Sequence, residues 1–177
     1  MFSSSGPPGA EDIRRLYDAV APILVRVAVR ITGSSEAAED IVHDSFARLV
    51  ENRIPFPSLD DAKFWLIRVV KNGALNYAKR KGREARAYER WWRGERDSSG
   101  GADEPVLKEE SAQELRLALD GLPEGLKAVL VLKEYGGLNY KEIGRVLGIS
   151  EGNVKVRAFR AREALLSRLG EGSKHVP

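Results

Sequence analysis

An all-α protein of two small helical domains joined by a flexible linker is the fold this sequence predicts. Three observations carry that expectation. Apolar residues recur at three- and four-residue steps nearly throughout, and no segment alternates with period two for long enough to make a sheet. Gly, Pro and Ser punctuate the pattern where helices should stop. A highly charged stretch from about Gly82 to Pro105, rich in Gly, Ser and acids in its second half, divides the chain. The first domain is placed at residues 11–90, the linker at 91–108 and the second domain at 109–170. Residues 1–10 and 171–177 are read as a disordered start and a tail.

In the first domain, Leu16, Val20, Ile23, Val27 and Ile31 form one stripe of an amphipathic helix. Pro22 falls inside it and predicts a kink or a second segment. Thr32–Ser35 breaks the helix, and Ser34 or Ser35 caps the next, which carries Ile41, Val42, Phe46, Leu49 and Val50. Pro55 and Pro57 make residues 52–61 a loop. A third helix from about Asp61 carries Phe64, Trp65, Leu66, Val69, Val70, Ala74 and Tyr77, with Trp65 in the core. Trp91-Trp92 sits in otherwise solvated sequence, where two adjacent indoles should extend the helix, dock on a domain or meet a partner. In the second domain Leu115, Ala118, Leu119 and Leu122 form one helix. Pro123 opens another with Leu126, Val129, Leu130 and Leu132, which Gly136-Gly137 stops.

Composition narrows the function classes. The chain has no cysteine and two histidines, so disulfides, zinc fingers and thiolate chemistry are excluded, and no metal or cofactor is expected. No apolar run is long enough for a membrane span, and Met1–Ala10 does not read as a signal peptide. Charge is patterned. Ser34–Asp61 and Glu95–Glu114 are acidic, whereas Lys63–Arg93 and Asn153–Arg168 are basic. Two basic blocks separated by an acidic one point to two places that hold a polyanion.

Residues 139–168 have the grammar of a helix-turn-helix. Asn139 and Glu142 form a capping box, Ile143, Val146 and Leu147 face inward, and Gly144 lets a second helix cross closely. Gly148 suits a left-handed turn, Ile149 plugs it, and Ser150 caps the second helix. Val154, Ala158, Ala161, Leu165 and Leu169 are its buried stripe, leaving Asn153, Lys155, Val156, Arg157, Arg160 and Arg162 to face duplex DNA. In a major groove Asn pairs with adenine, Arg or Lys with guanine, and later bases hold phosphates.

The second-domain string LPEGLKAVLVLKEYGGLNYKEIGRVLGISEGNVKVRAFRAREAL (122–165) resembles region 4 of the sigma-70 family, in its extracytoplasmic-function (ECF) type. AAEDIVHDSFARL (37–49) and FWLIRVVKNGALNYAKRKGR (64–83) resemble region 2 of the same family. The resemblance covers roughly 11–90 and 109–169, in the family's order. It implies that the helix bearing Glu39, Asp40, Ile41, His43, Asp44 and Arg48 docks on the clamp helices of the RNA polymerase large subunit, and that region 4 meets its flap. The family usually has Gln at the place of His43. The loop around Ile54–Asp60 and the following helix are implied to capture the melted minus-10 element. Phe56, Asn72 and Asn76 would hold an extruded base, and Lys71, Lys79, Arg80, Lys81 and Arg83 the phosphates. The family often has Asp at the place of Asn76, and Thr at that of Asn153. The region 4 helix would read the minus-35 element.

The implied function is a non-catalytic initiation factor in the bacterial cytoplasm. It takes core polymerase and promoter DNA, duplex and melted, as partners, with an anti-sigma protein as regulator. An autonomous helix-turn-helix regulator accounts only for residues 109–169. Asp40, His43 and Asp44 lie on adjacent turns of one helix, a weak constellation for an enzyme.

Overall fold

In a computed structural model the described residues are 8–93 and 107–172, with side chains over 8–87 and 114–170. Among them are seven helices and no strand: α1 (Ala10–Thr32), α2 (Ser35–Glu51), α3 (Leu59–Arg93), α4 (Leu107–Asp120), α5 (Glu124–Glu134), α6 (Tyr140–Leu147) and α7 (Glu151–Gly172). Helices α1–α3 form one bundle and α4–α7 a second group. The tails and residues 94–106 of the expected linker lie outside the described residues, as do the Trp91 and Trp92 side chains.

The α1 stripe is buried at Leu16, Val20, Leu24, Val27 and Ile31. Leu24 takes the core position and Ile23 is half-buried, a shift of one residue from the expected stripe. Pro22 neither ends nor divides α1. It sits on the exposed side, where the Asp18 carbonyl it deprives of a partner can be hydrated, while Leu16–Leu24 packing holds both halves. Gly33 ends α1 at φ 70°, and the Ser34 hydroxyl accepts from the Ala37 N–H at 3.2 Å to begin α2. Gly73 brings α2 and α3 together: a Cβ there would lie 3.0 Å from the Ile41 methyl.

Helix α3 begins at Leu59 and continues to Arg93, so residues 82–93 of the expected charged divider are helical. The Ser58 hydroxyl accepts from the Asp61 N–H at 3.1 Å and donates to the Asp61 carboxylate at 2.6 Å, fixing its first turn.

In the second group, Asn139 and Glu142 form the expected reciprocal capping box, at 2.9 and 2.8 Å. Gly148 stands at φ 69° and closes α6 through its N–H to the Gly144 carbonyl. Val154, Ala158 and Ala161 are buried along α7. Pro123 is the residue before α5 rather than its first, and Leu122 lies just past α4.

The two helical groups are packed on one another. Val129, Val131, Leu132, Leu138, Ile143 and Val146 join the same buried cluster as the α1–α3 core. This contact brings together residues far apart in sequence, so no local pattern announces it.

Gly144 is the tightest joint of the helix-turn-helix, since a Cβ there would lie 2.7 Å from the Ile149 carbonyl oxygen. Gly144→Ala should therefore cost about 1–3 kcal/mol of unfolding free energy in a denaturant titration. An unchanged midpoint and slope would contradict that packing.

Candidate nucleic-acid interface

Helix α7 follows directly from the Gly148 turn. Ser150 accepts from the Asn153 N–H at 3.2 Å, so Asn153 sits in the first turn, exposed. Opposite the buried Val154–Ala158–Ala161 stripe, helical geometry places Val156, Phe159 and Arg160 outward. Val156 is 47% exposed and Phe159 62%. Lys155 and Asn153 flank them. Arg157 is half-buried beside the start of α5, where its guanidinium would lie 3.2 Å from a Cβ at Gly125. Arg162 turns back to Glu134 at 3.2 Å, and hydrogen bonds to Tyr140 and Glu134 raise its pKa further above the usual range.

Of the six α7 residues expected to face DNA, four therefore lie on or beside the outward face, and Arg157 and Arg162 reach toward the body of the domain. Phe159 was missed by the sequence reading. Its helical phase, opposite Val154 and Ala158, was the available signal. Lys155 pairs with Glu151 at 2.9 Å; the hydrogen bond between them raises the lysine and lowers the carboxyl. Both are solvent-exposed, so a phosphate can replace the partner with little desolvation cost.

In the first bundle, Glu39, Asp40, His43, Asp44 and Arg48 are all exposed on α2, and Ile41 is half-buried against α3. Asp44 and Arg48 share a shallow groove of about 310 Å³ with Asn72, Gly73 and Asn76 of α3. A neighbouring groove of about 420 Å³ sets Asp40 and Asp44 beside Tyr77 and Arg80. The acidic face of α2 and the amide row of α3 thus line adjoining grooves that share Ile41 and Asp44.

Phe56 is not an open wall for an extruded base. It is 8% exposed and packs on Trp65, with ring centroids 5.6 Å apart and planes tilted by 59°. Pro55 and Pro57 restrict the backbone on either side of it, in a loop that Arg53 enters at φ 46°. Trp65, expected in the core, is half-buried and packs against it, so it is the more accessible ring of the pair.

The α3 basic residues divide between two directions. Lys81 and Arg83 are exposed, and Arg80 is exposed beside Tyr77 and Glu84. Lys79 pairs with Glu124 of the second group, and Lys71 is half-buried. Burial pushes the Lys71 ammonium below the ordinary lysine range; Glu124 opposes that shift and Arg68 adds to it. Among the described residues no cluster of His, Cys, Asp and Glu is arranged to hold a metal ion, and no helix is long and apolar enough to cross a membrane.

A helix-turn-helix group beside a three-helix bundle with an acidic and a basic helix defines a class of DNA-reading factor. Two family patterns match the chain: Sigma-70 region 2 over residues 16–84 and Sigma-70, region 4 over residues 112–165. The ECF RNA polymerase sigma factor SigE of Mycolicibacterium smegmatis is 31% identical over 196 residues, covering 99% of this chain and 69% of that protein. The ECF RNA polymerase sigma-E factor of Salmonella typhimurium is 33% identical over 138 residues, 71% of this chain and 70% of its own. Two solved structures share the fold. The sigma factor RpoE in complex with the anti-sigma factor NepR, from Bartonella quintana, has a TM-score of 0.62 at 22% identity, over 91% of this chain and 98% of that one. CnrH in complex with the cytosolic domain of CnrY has a TM-score of 0.67 at 20% identity, over 92% and 90%. The chain belongs to the sigma-70 family, in its ECF group. It is a transcription initiation factor that directs RNA polymerase to promoters.

The inward turn of Phe56 makes it a stability residue. Phe56→Ala should cost about 3–5 kcal/mol in chemical unfolding, as truncation of a buried aromatic does. Full stability combined with a defect confined to promoter opening would return Phe56 to the role of an exposed base wall.

Proposed function

We propose that the factor reads a promoter at two places with two different surfaces. The exposed face of α7 reads the duplex minus-35 element. The amide-and-basic face of α3 holds the melted minus-10 strand, and the acidic face of α2 docks on the clamp helices of core polymerase. The carrying observation is that one chain pairs an uncovered recognition helix with an acidic helix packed against an amide and basic one. An autonomous helix-turn-helix regulator would need only the first.

On α7, Arg160 is placed to reach a guanine edge, while Val156 and Phe159 offer apolar contact to thymine methyl groups. On α3, Asn72 and Asn76 lie one turn apart beside the groove and present amide donors and acceptors to a base. Trp65 offers a ring for stacking near the loop. Arg80, Lys81 and Arg83 extend a basic rail for phosphates. We place the units at 11–90 for region 2, 91–108 for the linker and 109–170 for region 4. The polymerase supplies the phosphoryl-transfer chemistry, and the factor contributes binding energy to strand separation without a catalytic step of its own. Its work belongs in the bacterial cytoplasm, with an anti-sigma protein covering the polymerase and DNA faces as its regulator.

This division of labour has distinct readouts. Arg160→Ala should weaken upstream recognition by about 1–3 kcal/mol in closed-complex binding, and Arg157→Ala by less. Asn76→Ala should slow promoter opening, followed by permanganate footprinting, more than it weakens the closed complex. His43→Gln should leave run-off transcription intact. Equal losses at every step from Arg160→Ala and Asn76→Ala would contradict the assignment. So would tight specific promoter binding by the free factor in a gel shift, since the reading requires core polymerase.

A further inference from the structure

The corner where α4 gives way to α5 lies beside the end of α1 and the middle of α3, and an open cavity of about 600 Å³ remains between them. Small-molecule sites occupy about 300–1,000 Å³. The α3 wall explains the space. Ala78, Gly82 and Ala85 fall on one face of a stretch whose other residues are mostly long and charged, and none of the three fills the gap. A Cβ added at Gly82 would meet only the Arg86 guanidinium, at 3.9 Å. Ile31, Leu75 and Leu122 complete the apolar lining.

Charge around the cavity is unbalanced. Lys79, Lys81, Arg86, Arg116 and Lys127 line it against Asp120 and Glu124. Lys79 pairs with Glu124 and Lys127 with Asp120. No described residue pairs with Lys81 or Arg116. Lys127 is 6% exposed, its Nζ donates to the Asp120 carboxylate, and no described residue accepts from its other two N–H groups. A buried ammonium with donors to spare carries a desolvation cost that a further oxygen acceptor would offset. The start of α5 acts in the same direction. Pro123 gives it no side-chain cap, so its first N–H groups stay available at the positive end of the helix.

The cavity thus combines an apolar wall with cations and uncommitted N–H donors. No aromatic ring lines it among the described residues, so a nucleobase has nothing to stack on and a nucleic-acid strand is the poorer fit. A phosphate monoester carries close to two negative charges and several strong acceptor oxygens, which matches the donors.

We propose that this cavity binds a small phosphate monoester with a compact apolar body. The phosphate is held among Lys81, Arg116 and Lys127, and the apolar part lies against Ala78, Gly82 and Leu122. Of these cations only Lys81 is also placed on the phosphate rail of α3, and the site does not rest on that placement.

Calorimetric titration of the full-length factor with naphthyl phosphate, inorganic phosphate and naphthol tests the proposal. The ester should bind one to one and at least about tenfold more tightly than either part alone, because one association engages both the cations and the apolar wall. Arg116→Gln removes an exposed cation. It should weaken the ester about tenfold, the size of one charge-assisted hydrogen bond, and leave naphthol binding unchanged. Gly82→Leu fills the cavity without altering its charge and puts a better helix former at a helical position. It should abolish ester binding, while thermal unfolding without ligand shows it folded and at least as stable as the parent. No heat of binding at millimolar ester overturns the site outright. If inorganic phosphate binds as tightly as the ester, or folded Gly82→Leu still binds the ester like the parent, the ligand sits on exposed cations and the cavity is overturned. If ester and naphthol bind alike and Arg116→Gln changes neither, the phosphate assignment is overturned.

Discussion

Helix α3 must be a wall of the core and carry a row of cations and amides at once, and much of the structure follows from that constraint. Leu66, Ile67, Val70 and Ala74 are fully buried against α1 and α2. The same turns present Arg68, Lys71, Asn72 and Asn76 on the other side. Burying the apolar side fixes the rotation of the helix, because a turn about its axis would bury cations without partners. The polar side is then held in one orientation, and every surface assigned to region 2 is measured from it. Gly73 adds the close approach of α2, which sets the acidic Asp44 beside Asn72 and Asn76.

Region 4 answers to a second constraint, the unsatisfied ends of short helices. Helix α6 has only 8 residues, so much of its backbone is terminal. Its N-terminus is completed by the Asn139–Glu142 box and its C-terminus by the Gly148 turn and the Arg68 guanidinium. The result leaves α7 outward. Val156 and Phe159 stay exposed on α7, while on α3 Lys79 pairs with Glu124 of this group and Lys81 and Arg83 stay exposed.

The local features were readable in advance. The Ser34 cap, the Asn139–Glu142 box, the Gly148 turn and the α7 stripe each depend on residues within a few positions, so spacing alone specifies them. The α2 acids and the α3 amides were also placed on exposed surface as expected. What was not legible is nonlocal. Phe56 and Trp65 exchange their expected environments because the loop folds inward between its two prolines, and only the packed bundle decides which ring lies deeper. Pro22 is tolerated because tertiary packing overrides a local breaker. Arg68 and Arg145 were unremarkable members of charged stretches until the fold set them 77 residues apart in sequence and 2.6 Å apart in space. Phe159 lay within reach of a helical-wheel argument but was hidden by the bases around it.

The central claim is that one chain reads two promoter elements and does so only with polymerase. Run-off transcription by purified core polymerase and this factor on a random promoter-fragment library tests it most directly. The account predicts that active fragments share two sequence blocks at constant spacing, with Arg160→Ala relaxing preference in the upstream block and Asn76→Ala in the downstream one. Activity without core-dependent initiation, or selection of a single block altered by both substitutions, would contradict it.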